Sequence, residues 1–141
     1  MTRHRARRAF SRSATHGRRN MDFFCLTPVG IRVAYPSAPV LRALSRSARK
    51  RDRGKVVLAL TSNRYYALHG VRPRARLARV SRRLHLGRRF HIGKNFWYVS
   101  KVGTPRAIVK VRHGEVQEIG ILDNSVSSNR QAERRLLNSL T

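Results

Sequence analysis

Between Arg72 and Arg89 the chain carries eight arginines and no acid, and this run has residue types and a spacing that could do chemistry. Arg72, Arg76, Arg79 and Arg83 recur at intervals of four, three and four, which on a helical wheel makes one stripe beside the apolar Leu77, Val80 and Leu84. Arg88 and Arg89 follow in the chain. Such a row can track the phosphates of a polyanion, because each guanidinium–phosphate contact releases condensed counterions. The plain alternative is a solvated helix face.

Catalytic constellations fare worse. A nucleophile needs a base within hydrogen-bond reach, whereas Cys25 sits in Phe-Phe-Cys-Leu, a setting for a buried and inert thiol. Acid–base work by paired carboxylates needs acids to spare, and there are 6 in 141 residues. Glu115 and Glu118 fall three apart on a predicted strand and point to opposite faces. His69, His85, His91 and His113 are scattered, with no cysteine or acid at metal-ligand spacing. No glycine pattern cradles a phosphate or a dinucleotide. The expectation is a non-enzymatic protein with no cofactor and no metal.

The elements that must position the arginines can be read around them. Pro73 suits a first helical turn and Gly87 a left-handed end, so a helix is predicted over about residues 74–86. Asn95–Val102, Ala107–Arg112 and Glu115–Leu122 alternate as strands, broken by Gly103-Thr104-Pro105 and His113-Gly114, which predicts a three-stranded antiparallel meander. The leucine face of the helix should cover one side of it, and Trp97 should lie in the core. Upstream, Phe23–Leu26 and Ile31–Tyr35 flank Thr27-Pro28-Val29-Gly30 as a hairpin would. Ser37 caps a helix that Gly54 stops, Lys55–Leu60 reads as a buried strand, and Gln131–Leu140 as a last helix.

Charge dominates composition: 32 Lys and Arg against 6 Asp and Glu leave +26, and 27 of the basic residues are arginine. A compact fold tolerates this with counterions or an anionic partner; arginine excess is also what a GC-rich genome produces. Residues 1–20 hold seven arginines and little that is apolar, so a disordered basic arm is predicted there. Arg7-Arg8 has the look of a twin-arginine export signal but lacks the apolar segment of about 7–15 residues that should follow, and Met21 is an alternative start. The single cysteine excludes an internal disulfide, and no apolar run reaches the roughly 18 residues of a membrane span.

Tyr66-Ala67-Leu68-His69-Gly70-Val71-Arg72-Pro73, Leu84-His85-Leu86-Gly87, Gly93-Lys94-Asn95-Phe96-Trp97-Tyr98 and Val111-Arg112-His113-Gly114-Glu115-Val116-Gln117-Glu118-Ile119-Gly120-Ile121 together resemble a C-terminal domain of uncharacterised actinobacterial proteins. Over residues 66–122 the order of motifs is also similar to the outer-membrane assembly lipoprotein and β-lactamase-inhibitor superfamily. The resemblance implies a binding or scaffolding module without enzymatic activity, commonly outside the cytoplasm. Arg74 stands where that pattern favours glycine, and the lipoprotein cysteine is missing near the start, so localisation is not carried over.

Together these readings predict an α+β chain: a disordered arm over 1–20 and one domain over 21–141, with an antiparallel sheet of three or four strands and helices on one face. Arg72, Arg76, Arg79, Arg83, Arg88 and Arg89 are the expected anion-binding residues. The expected partner is an anionic polymer or a protein surface, with sequence-nonspecific nucleic-acid binding as the alternative.

Overall fold

The alternating run after Asn95 forms the expected meander: β6 (Asn95–Ser100), β7 (Arg106–Arg112) and β8 (Glu115–Leu122), each antiparallel to the next. The computed structural model describes residues 1–10, 15–24 and 29–140. His113 and Gly114 both take positive φ, 52° and 76°, the left-handed pair that a two-residue hairpin turn requires.

The sheet is larger than the sequence predicts. β5 (Leu86–Ile92) flanks β6, while β1 (Thr15–Arg18), β2 (Met21–Phe24), β3 (Ile31–Ala34) and β4 (Leu58–Thr61) form a second antiparallel array. Among the described residues these make one open sheet in the order β1-β2-β3-β4-β8-β7-β6-β5. The expected three or four strands are thus corrected to eight. The first four strands have four residues each, too few for alternation to stand out, and it is pairing that completes them. β4 joins the two arrays by pairing with β8, from Leu58 opposite Leu122 to Thr61 opposite Ile119. The close pass uses Gly120, where a Cβ would run into the Ala59 carbonyl oxygen and the Leu60 side chain.

Helices on one face are also corrected. α2 (Ala38–Ala43), α5 (Asn124–Ser127) and α6 (Arg130–Asn138) pack Val40, Val126, Leu136 and Leu137 with Leu58, Leu60, Trp97, Val99, Ile108 and Leu122 of the sheet. Ala48 of α3 (Arg46–Asp52) joins the same cluster. The opposite face is covered by α4 (Leu77–Arg83), with Val80 and Leu84 on Val109, Val111, Val116 and Ile119, and by α1 (Arg3–Ala9). The predicted helix from Ser37 to Gly54 is two helices, because Ser45 starts a new one by accepting from Ala48 N–H at 3.3 Å.

α1 overturns the disordered arm. Low apolar content argues for disorder only when charges stay unpaired, and here two of them do not: Arg3 and Arg7 each send two guanidinium nitrogens to the carboxylate of Asp22, at 2.7–3.0 Å. Tyr35 adds its hydroxyl at 3.1 Å. Ala6 is fully buried against Phe24, Val33 and Tyr35, and Phe10 stacks on Phe24 at 4.2 Å. Residues 11–14 of the predicted arm, and Cys25 to Pro28 of the predicted hairpin, lie outside the described residues.

Two outcomes test this architecture. Asp22→Ala strands Arg3, Arg7 and Tyr35, so it should lower the thermal midpoint by more than about 5 °C and open residues 1–10 to trypsin. Trp97, 1% exposed between α6 and the sheet, should lose about 3–5 kcal/mol when cut to alanine, read by urea unfolding.

A cationic surface as the candidate functional site

All six acids lie in described parts of the chain, and five are drawn into the fold. Asp22 takes Arg3 and Arg7, Asp52 takes Arg51 at 2.9 Å, and Glu118 takes Arg32 at 2.6 Å and Lys110 at 3.1 Å. Asp123 caps α5 by accepting from the backbone N–H and the hydroxyl of Ser125. Glu133 is wholly buried with Arg88 Nε 3.5 Å from its Oε2. Glu115 alone is exposed. Each internal pair removes a negative charge from the surface, and most arginines stay there without one.

The expected anion-binding residues do not form one row. α4 starts at Leu77 rather than near residue 74, because residues 74–77 lie along the start of β8 instead. Arg74 N–H donates to Val116 O at 2.7 Å, Val116 N–H to Ala75 O at 2.9 Å and Leu77 N–H to Gly114 O at 2.9 Å. Arg76 becomes the N-cap residue, and Arg72 precedes the helix altogether. The helix ends at Arg83; His85 takes the left-handed position expected of Gly87, which is instead a β5 residue whose Cβ would come 2.5 Å from Lys101 Cγ. Arg76, Arg79 and Arg83 stay exposed, with the Arg83 guanidinium lying over Gly70.

Arg88 and Arg89 part company, as neighbours on a strand must. Arg89 remains exposed on the α4 side of the sheet, its guanidinium 5.2 Å from the centre of the Phe96 ring. Arg88 turns to the other side, where it donates to Ser127 O and faces Glu133. It is therefore a structural cation and no part of the exposed group.

Arg72 acts locally. Its Nη1 donates to Arg64 O at 2.8 Å and Tyr65 O at 3.4 Å, closing a loop whose other side is held by Tyr65 N–H on Asn63 Oδ1 at 2.9 Å. Beside it opens a cleft of about 630 Å³ lined by Val29, Ser62, Asn63, Arg64, Tyr65, Arg72 and Arg74. No acid lines it. A second polar cleft, of about 530 Å³ between α3 and α5, contains Asp123 among its walls and is the poorer anion site. Arg64, Tyr65 and Arg74 are absent from the expected site. The signal that could have raised them is an Asn-Arg-Tyr-Tyr turn sequence, where two large aromatics follow a chain-breaking asparagine.

His69, His85 and His113 each occupy a turn position with positive φ, and His91 stacks on Phe96 at 4.6 Å. Among the described residues no three His, Cys, Asp or Glu side chains gather as metal ligands, and no helix is long and apolar enough to cross a membrane. No family model, curated protein or solved structure matches the chain.

Glu133 sets a pH dependence. Burial pushes its carboxyl up to about 7, against the pull of Arg88, Arg106 and Arg130, and neither oxygen has a hydrogen-bond partner among the described residues. A carboxyl whose folded value lies above its ordinary 4.5 favours the folded state when protonated. Stability should be highest below pH about 4.5 for this group and decline as pH rises to about 7. Glu133→Gln should flatten that decline in urea midpoints measured across this window, while a wild-type profile already flat there would contradict the assignment.

Proposed function

We propose that this protein is a non-enzymatic module that binds the phosphodiester backbone of nucleic acid without sequence preference, through the arginines of α4 and of the loop before it. The observation that carries this reading is the partition of charge: with a net charge of +26, five of six acids are used inside the fold, and among the described residues no ion pair engages Arg72, Arg76, Arg79, Arg83 or Arg89. The cations that remain outside form a field that attracts polyanions at long range and, at contact, displaces their counterions. Arginine suits the task, since its planar fork meets phosphate oxygens in pairs.

A protein partner is the second reading, favoured by an apolar groove of about 160 Å³ on the same side of the sheet, lined in part by Ile31, Ala59, Tyr66, Leu68 and Ile121, with Ile121 41% exposed.

Duplex DNA binding followed by fluorescence anisotropy across a salt series separates the two. Log affinity should fall linearly with log salt, and the triple substitution Arg76→Gln, Arg79→Gln, Arg83→Gln should flatten the slope by about 2–3, near 0.9 per phosphate lost, with the circular dichroism spectrum unchanged. A slope indifferent to these arginines would move the conclusion to the protein partner.

A further inference from the structure

The cleft before α4 has a composition that a duplex backbone does not require. Tyr65 is 90% exposed, an unusual amount of aromatic surface to leave in water, and it is not left on a loose tether. Its N–H is held by Asn63 Oδ1 and its carbonyl oxygen by Arg72, while Asn63 is anchored through its N–H to Thr61 Oγ1 at 3.1 Å and Thr61 to Gly30 O at 3.0 Å. Tyr66 N–H closes the turn on Asn63 O. The ring is carried by a backbone fixed on both sides, so little ordering of the main chain remains to oppose a contact.

One of the cations around it is placed at some expense to the chain. Arg74 has φ 73°, in the left-handed region that disfavours any residue with a Cβ and that glycine enters freely. Its backbone is held there by Val116, and its side chain lines the cleft with Arg64 and Arg72. An arginine kept where glycine fits best is a strained residue at a cleft, the circumstance in which a functional cause is sought. The volume, about 630 Å³, falls in the range of roughly 300–1,000 Å³ of small-molecule sites.

We infer that this cleft holds one unpaired nucleobase of a single strand, stacked on Tyr65, with the flanking phosphates on Arg64 and Arg74. The inference rests on the polyanion reading above and deepens it. A base in a duplex has both faces covered by its neighbours, so only a single strand can offer one to the ring. Asn63 and Ser62 stand beside it as polar groups for a base edge. Arg72 keeps the loop in shape, and the exposed arginines of α4 serve either form of nucleic acid.

The test compares three probes of equal phosphate count, about twelve each, at one salt concentration: oligothymidylate, an abasic oligodeoxynucleotide and a duplex. Wild-type protein should bind oligothymidylate at least about fivefold more tightly than the abasic strand, the lower limit for one base stack. Tyr65→Ala should erase that difference and leave abasic and duplex affinity unchanged; Tyr65→Phe should keep it. Arg74→Gly, which relieves the backbone, should weaken both single strands and keep the fold. Equal affinity of the wild type for oligothymidylate and the abasic strand, or a Tyr65→Ala loss shared by all three probes, overturns the cleft assignment while leaving the polyanion reading in place. No binding to any of the three probes removes both.

Discussion

One buried carboxylate ties the amino-terminal helix to the sheet. Asp22 lies fully inside, and a carboxylate in that position is tolerated only if its charge and lone pairs are met. Burial alone would raise its pKa; hydrogen bonds from Arg7, Arg3 and Tyr35 outweigh this and hold it well below the ordinary range. The same burial, with the Asp22 charge beside it, pushes the Tyr35 hydroxyl well above its usual value. Two cations that would otherwise repel their neighbours thereby fasten α1 over β2 and β3. The acid is needed by the fold in its charged form, so it contributes stability above the normal carboxylate range and loses it as the pH falls.

The same principle governs the rest of the charge. Glu118 bridges Arg32 of β3 and Lys110 of β7 across the middle of the sheet, whereas Glu133 faces Arg88 under α6 but is met less completely, so burial pushes its carboxyl up. Few acids, three of them placed where they join distant elements, leave most arginines exposed without an acidic partner. Folding therefore divides the charges: the paired carboxylates lie largely within, and most of the unpaired arginines lie outside. A net charge of +26 makes copies of the chain repel one another and is the ground on which a polyanionic partner is proposed. Geometry then distinguishes among the cations, since Arg79 is exposed on a helix while Arg88, next to the exposed Arg89 in sequence, faces a buried acid.

Strain marks a further distinction. His69, His85, His113 and Arg74 all adopt left-handed backbone. The histidines sit in tight turns, a use for which their type is enriched. Arg74 has no such excuse of residue type, and it is the one of the four whose side chain lines the cleft beside Tyr65.

Local periodicity was enough to read the meander of β6, β7 and β8, the burial of Trp97 and the existence of α4, because each depends on neighbours within a few residues in the chain. The resemblance drawn on the same motifs rests on those residues alone. Pairing of β4 with β8 was not legible, since nothing local to Leu58–Thr61 says that Gly120 will leave room for it. The fate of the amino-terminal residues was misread for a related reason: their polar composition predicts disorder until Asp22, a dozen or more residues away, supplies the counter-charge. The arginine stripe shows the same limit. Spacing by three and four makes a stripe only if the helix spans it, and hydrogen bonds from residues 74–77 to the start of β8 pull Arg72 out of the helix and make Arg76 its cap. Composition determined by itself that this protein would be strongly cationic; only the tertiary structure decided which cations are neutralised, because a carboxylate's partners are chosen by distance in space and not along the chain.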